Sequence, residues 1–426
     1  MIRLRSGRVI DPATGMDEVT DVYVENGAIA ALGRAPRGGK LKRTVDVTGL
    51  VVAPGLVDLG SRLREPGFEH KASIASEARA AVRNGFTTVC CTPDTAPVMD
   101  NPAVVEHVIQ RASAARGARI KCLGALTVGL NGQVLAEMHA LKAAGCVGVT
   151  NLDRAIMDTT VLKHAMAYAA SAGLTVFLQS EDYWLGSQGH MHEGATSTRL
   201  GIPGIPRAAE IIALHRDLTL VAATGVRAHF GRLTTAEGLK PIHDARRAGL
   251  PVTADTSILN LTYTAADIGD FDANYHLRPP LRDAVDRSAL RAAVKRGSLD
   301  AVCAYHEPHD ADAKAAPFAL TEPGASTFDI FLPALFDLVA RGAFDLLTAL
   351  KAASLAPCRI LGLQGGTLAP GAPADLCVFD PAAEWDVTPD ALASAGKNSP
   401  FLGRRLRGRN RLTLVGGSVV FDDLKT

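Results

Sequence analysis

Phe86–Val128 reads FTTVCCTPDTAPVMDNPAVVEHVIQRASAARGARIKCLGALTV. An apolar run, Phe86–Thr92, leaves through a turn rich in Pro and Asp and enters a helical period at Pro102–Ala115. A second apolar run follows at Arg119–Val128. Short apolar runs without alternation are what a strand shows when both faces are buried, and a helix between two of them predicts a parallel crossover unit. The same unit repeats in both directions. Val51–Leu59 precedes a helix at Ser73–Arg83. Downstream, helices at Gln133–Ala144, Asp158–Ala172, Ile205–His215 and Thr235–Ala248 separate strand signals at Cys146–Thr150, Leu174–Ser180, Val226–Phe230 and Pro251–Asp255, with Leu299–Tyr305 ending the series. Eight strands alternating with helices predict an α/β fold, a (β/α)₈ TIM barrel.

The ends read differently. Asp11-Pro12 is a turn, Asp21–Val24 alternates and Asn26-Gly27 is a hairpin signal, so the first fifty residues read as short strands. After Leu361 that style returns at Ala374–Phe379, Arg411–Val415 and Ser418–Phe421. The expected organisation is a barrel over residues 54–362 and one small β domain built from residues 1–53 and 363–426.

Composition limits the function classes. The chain has 426 residues, 45 basic and 44 acidic, and is 47% hydrophobic, enough for a large core. A net charge of +1 provides no general attraction to nucleic acid or anionic membrane. No stretch has the length of a membrane span or the pattern of a signal peptide, and the 7 cysteines lie inside apolar runs without a CxxC pair. A cytoplasmic protein with reduced, buried thiols is expected. The 12 histidines are enough for a metal site, so their placement decides the matter.

In a TIM barrel, chemistry sits on the loops after the C-terminal ends of the strands. Several motifs lie there or beside them: Pro54-Gly55-Leu56-Val57-Asp58 running into Leu63-Arg64-Glu65-Pro66-Gly67, then Gly85-Phe86-Thr87-Thr88-Val89-Cys90, Gly201-Ile202-Pro203-Gly204-Ile205-Pro206 and Pro279-Pro280-Leu281-Arg282. Gly366-Thr367-Leu368-Ala369-Pro370-Gly371 and Ala374-Asp375-Leu376 complete the set. In this order they resemble the dihydroorotase branch of the amidohydrolase superfamily over essentially the whole chain. That resemblance implies a zinc site in the barrel mouth and hydrolysis of a cyclic amide, with metal-polarised carbonyl and water.

The positions that would carry the chemistry hold other residues. The HxH pair after strand one falls at Gly60 and Arg62, and the strand-four ligand at Asn151 or Leu152. The strand-five histidine is Gln179, the strand-six ligand Arg232 and the strand-eight aspartate Tyr305. Two arginines bring fixed positive charge where Zn²⁺ would sit, and amide oxygens suit zinc poorly. The expectation is no zinc, no other cofactor and no catalytic residue. Asp94 and Arg278 replace substrate-pocket asparagines. Arg64 and His309 survive at positions that bind substrate carboxylate in the family, so Arg64, Asp94, Arg278 and His309 form a vestigial anion-binding set.

The remaining histidines do not rebuild a site on sequence grounds. His190-Met191-His192 reads as a surface loop, and His306-Glu307-Pro308-His309 lacks the HExxH spacing. His309 reads as an anchor for a solvated loop carrying Asp310, Asp312 and Lys314, while Glu181-Asp182 reads as structural. The basic run Arg404–Arg411 reads as a solvated turn of the β domain. The resemblance extends to bacterial non-catalytic relatives that assemble with aspartate transcarbamoylase. It implies a structural subunit of a hetero-oligomer in de novo pyrimidine synthesis, without nucleic acid or membrane contact. Two alternatives stand beside this: a hydrolase with a metal site rebuilt from His190, His192 and His309, and a module sensing an anionic metabolite.

Overall fold

The computed structural model describes residues 1–424. Its centre is an eight-stranded parallel sheet: Leu56–Ser61, Phe86–Cys91, Arg119–Ala125, Cys146–Thr150, Thr175–Leu178, Ala228–Phe230, Val252–Ser257 and Ala301–Cys303, in spatial order of sequence. They are called barrel strands one to eight below. Strands one and two are buried at every residue, which is why their sequences carry no alternation.

Strand eight meets strand one through a side chain. The buried Asp58 carboxylate accepts from the Ala304 and Tyr305 N–H groups at 2.6 and 3.1 Å, and from Ser61 Oγ at 2.6 Å. Burial raises this carboxyl above its ordinary value, against the lowering effect of its hydrogen bonds. The Arg62 N–H donates to the His306 carbonyl at 2.8 Å and continues the seam.

The helices end where local chemistry ends them. Ser73 caps Ile74–Arg83, and Asp158 caps Thr159–Ala172, which stops at the left-handed Gly173. Two spans differ from the sequence expectation. The Ile205–His215 segment becomes the longer helix Arg207–Thr224, which runs to Gly225 at φ 68°. Only Met138–Ala143 of the Gln133–Ala144 segment is helical. The Val128 N–H is satisfied by the Val134 carbonyl, and this holds the preceding residues extended.

The β domain is one sheet. Ile2–Asp11, Met16–Glu25, Ala28–Leu32, Arg43–Asp46 and Val51–Pro54 join Leu376–Asp386, Arg405–Val415 and Ser418–Asp422. The two ends of the chain meet where Leu376 pairs with Pro54 and Val378 with Val52, antiparallel. Its core contains Leu4, Val9, Val22, Ile29, Val52, Leu376, Val378, Leu412 and Leu414.

The Arg404–Arg411 run corrects the sequence reading. Most of it is a strand and not a turn, with three of its outward arginines paired to acids. Arg405 pairs with Asp386, Arg407 with Glu384, and Arg411 with Asp423. Arg409 lies 4.6 Å over the Trp385 ring. All seven cysteines are buried free thiols, and burial pushes up the pKa of each. No helix among the described residues is long and apolar enough to cross a membrane.

Candidate functional site

Arg62 leaves the end of strand one and enters the barrel mouth, where three carboxylates surround it. Its Nη1 donates to Glu307 Oε2 at 2.8 Å and its Nη2 to Asp153 Oδ2 at 2.9 Å. Nε stands 2.6 Å from Asp94 Oδ2, an ion contact without the angle of a hydrogen bond. Arg232, after strand six, donates to the other oxygen of Glu307 and to the Arg278 carbonyl, the latter at 3.0 Å. Burial alone would raise the Glu307 carboxyl, but Arg62, Arg232 and Arg64 outweigh it and hold it at about 2. The same balance keeps Asp153 below its ordinary range, with Arg62 as its main counter-charge. The mouth is a closed ion network.

Tyr305 fills the space behind this network. Its hydroxyl donates to Asp255 Oδ2 at 2.6 Å, and the Arg232 guanidinium lies 4.2 Å over its ring. Burial and the Asp255 carboxylate push the phenol pKa far up, so Tyr305 remains a hydrogen-bond donor. Two glycines make room for the ring. A Cβ at Gly60 would meet Tyr305 Cε1 at 3.1 Å, and one at Gly231 would meet the hydroxyl at 2.5 Å. Asp255 also accepts from His229 Nε2 at 2.9 Å, and His229 Nδ1 contacts Thr253 Oγ1 at 2.9 Å. The one mouth-facing histidine of strand six is therefore fully engaged. Beneath the ring, Leu59, Gly60, Leu152, Phe177, Gln179 and His229 line a cavity of about 30 Å³. That is room for a water or two and too little for a cyclic amide.

As a donor set, the residues at the family's ligand positions do not fit zinc. Gly60 has no side chain and Leu152 is apolar. The Asn151 amide is spent on Thr127 Oγ1 at 2.8 Å and on the Leu130 and Arg154 carbonyls at 3.2 and 2.7 Å. Gln179 Nε2 is buried without a partner, and an amide N–H donates to neighbours and does not ligate a cation. Arg62 and Arg232 are cationic. The nearby carboxylates, Asp94, Asp153 and Glu307, are all engaged by these two guanidinium groups.

The remaining candidates disperse. Arg64 donates to the Pro308 carbonyl at 2.9 Å and contacts His309 Nε2 at 3.0 Å. His309 is buried among Arg64, Lys71 and Lys314. Burial first, and then Arg64 and the lysines, lower its pKa to about 3 against the counter-effect of Glu307. Lys314, expected to be solvated, is partly buried and donates to the Ala273 and Glu322 carbonyls at 3.1 and 2.6 Å. Arg278 lines the mouth beside Arg232 and Glu307. It pairs with Glu181 and closes the loop at the Gly186 carbonyl.

The His190-Met191-His192 segment also departs from its surface-loop reading. Met191–His192 pairs with Gly204–Ile205, and His192 is 2% exposed. Among the described residues, His192, Asp283 and Asp286 are the one trio of side chains close enough to share a metal ion. Arg282 donates to His192 Nδ1 and Arg207 pairs with both aspartates, so cations already occupy that role. His306 turns away from the mouth. Its Nδ1 accepts the Thr327 N–H at 3.0 Å, leaving Nε2 to donate to Glu77 at 2.7 Å while the ring stacks on Phe328.

Sequence reading missed Glu307 and Asp153 as the partners of the arginines. A signal was present: two arginines directed into one buried mouth require carboxylates, and each of these follows directly on a position already noted, Tyr305-His306 and Asn151-Leu152.

Comparison with known proteins agrees with this geometry at the level of fold and family. The dihydro-orotase-like family pattern matches residues 49–238, and that of the amidohydrolase family matches residues 337–421. A dihydroorotase-like protein of Pseudomonas putida is 47% identical over 418 residues, covering 98% of both chains. A dihydroorotase of Anaeromyxobacter dehalogenans is 42% identical over 424 residues, covering 99% of this chain and 98% of its own. The L-hydantoinase of Arthrobacter aurescens superposes with a TM-score of 0.87 at 22% identity, over 99% of this chain and 96% of that one, a likeness of fold. With near-complete coverage at such identities, the chain belongs to the dihydroorotase-like family of amidohydrolases.

Proposed function

We propose that this chain is a catalytically silent member of its family that serves as a structural subunit with the catalytic chain of aspartate transcarbamoylase. The observation that carries the silence is the Arg62–Glu307–Arg232 network with Tyr305 behind it. Fixed cations and an aromatic ring take the volume and the charge that a metal-bound water would need. The chain holds no zinc in this reading and works in the cytoplasm. What supports the partner is the resemblance to bacterial non-catalytic dihydroorotase relatives that assemble with that enzyme, together with a barrel kept whole around a plugged mouth.

Two measurements test the proposal. Elemental analysis of the purified protein is expected to find far less than one zinc per chain, with no turnover of dihydroorotate or carbamoyl aspartate. Stoichiometric zinc with family-like turnover would overturn the silent reading. Co-expression with aspartate transcarbamoylase from the same genome, followed by size-exclusion chromatography and activity assay, is expected to give one co-eluting complex. Separate elution, with full transcarbamoylase activity in the absence of this chain, would remove the partner.

A further inference from the structure

The mouth is one end of the barrel. The opposite end, where the strands begin, carries a cleft of about 430 Å³ lined by Thr253 of strand seven, Asp300 just ahead of strand eight, and the helical segments Ala284–Arg296 and Leu346–Ile360. A cleft of this volume lies within the range of about 300–1,000 Å³ common for small-molecule sites. Four cations line it: Lys295, Arg296, Lys351 and Arg359. All four are exposed, and among the described residues none forms an ion pair or a side-chain hydrogen bond.

The carboxylates nearby are engaged elsewhere. Asp300 is held by Arg246 and by the Ala254 N–H at 2.7 Å. Asp345, close enough to Lys295 to be lowered by it, caps the Thr348 N–H at 2.7 Å. The cleft thus keeps a net positive charge, while the arginines in the mouth are matched by acids. Its other wall is apolar, formed by Val294, Leu299, Ala352, Ala356 and Ile360. The backbone beside it is irregular as well. Lys351–Leu355 is a π-helical turn between Leu346–Leu350 and Ala356–Ile360, and Pro357 withholds one N–H from the regular ladder. Lys351 opens this turn and Arg359 follows it, and both line the cleft. Single π turns inside helices are rare and are frequent at functional sites.

From these features we infer that the closed end of the barrel is a binding site for a phosphorylated metabolite with an apolar body, of the nucleotide class. The two lysines and two arginines lining the cleft suit phosphate oxygens, with Arg offering a fork and Lys a point charge. The apolar wall suits a base or a comparable flat group. The site lies apart from the mouth and does not depend on the silence of the mouth or on any partner.

Isothermal titration of the full chain with magnesium-free ATP, inorganic pyrophosphate and adenosine tests the inference. ATP is expected to bind with Kd in the range of about 0.01–1 mM, pyrophosphate more weakly, and adenosine without measurable heat. Lys351→Ala and Arg359→Ala are each expected to weaken ATP about tenfold, the loss typical of one hydrogen bond to a charged group. Both side chains are exposed, and unchanged circular dichroism and melting temperature verify that the variants fold. Absence of ATP binding to the wild-type chain at about 5 mM, a concentration that saturates even millimolar sites, would overturn the inference. Undiminished binding to both variants would do the same. Pyrophosphate binding as tight as ATP would overturn the role assigned to the apolar wall.

Discussion

The two ends of one barrel handle charge in opposite ways. At the mouth, Arg62 and Arg232 are buried against Glu307, Asp94 and Asp153, and Tyr305 fills the space beneath them. At the closed end, Lys295, Arg296, Lys351 and Arg359 surround an open cleft with no carboxylate holding any of them. In this family's fold the mouth is the usual seat of chemistry and the closed end the usual seat of stability. Here the mouth has the character of a core, with its charged side chains paired and little space left. The closed end has the character of a site.

The comparison is broken first at Glu307. Glu307→Ala leaves two buried guanidinium groups short of their shared counter-charge, and breaking a buried pair from one side costs about 3–5 kcal/mol. Urea denaturation reads this directly, and a loss below about 1 kcal/mol, the range of an exposed pair, would mean that the mouth is solvated and not core-like.

Next comes Gly231→Ala, whose methyl would stand 2.5 Å from the Tyr305 hydroxyl. That hydroxyl is anchored on Asp255, so the ring cannot move without losing its hydrogen bond, and a loss of about 1–3 kcal/mol is expected. Gly60→Ala, facing the ring edge at 3.1 Å, is expected to cost less in the same assay.

His309 sharpens the comparison through pH. With a value of about 3 in the fold against an ordinary 6.5, it is neutral when folded and takes up its proton on unfolding. Its contribution is complete above pH 6.5 and is lost progressively as the pH falls toward 3. Across that window stability is expected to drop with a slope of up to about 1.4 kcal/mol per pH unit from this group. His309→Gln is expected to flatten the slope in denaturation curves taken between pH 4 and 6.5. Glu307, held at about 2, keeps its charge through this window, so the mouth network itself stays closed.

The smallest effect belongs to the other end. Lys351→Ala and Arg359→Ala break no contact and are expected to leave stability within about 0.5 kcal/mol. A larger loss would show that the cleft's cations have partners in the folded protein.

Much of this molecule was legible in its sequence. Strand and helix rhythm announced the barrel, since parallel strands buried on both faces leave apolar runs of a recognisable length. The hairpin style of both ends announced the β domain. The replaced ligand positions were legible too, because Gly60, Arg62 and Arg232 have chemistry that no environment converts into zinc ligation. Partners were harder to read, being set by tertiary distance. Glu307 is separated from Arg62 by 245 residues, and nothing local distinguishes its carboxylate from those of Asp310 or Asp312. His306 and His309, three residues apart, face different neighbours because His306 packs on Phe328 behind the barrel while His309 meets Arg64. Net charge also concealed the arginine strand, where Arg405, Arg407 and Arg411 each match an acid from another stretch of chain and Arg409 rests on Trp385.

Tyr305 bears on which substitutions the mouth tolerates as well as on packing. Its ring rests where Gly60 and Gly231 have no side chains, and its hydroxyl, its face and its backbone N–H are all in use. A histidine at position 60 alone would collide with that ring. An acid at 305 alone would add a negative charge beside Asp255 and strip Arg232 of its platform. Histidine at 62 alone would leave Glu307, Asp94 and Asp153 crowded around a poorer counter-charge. Every single substitution toward a metal centre therefore begins by losing stability, with nothing gained until several are in place. Gly60, Arg62 and Tyr305 are thus tied to one another: the packing of this mouth opposes a change at any one of them made alone.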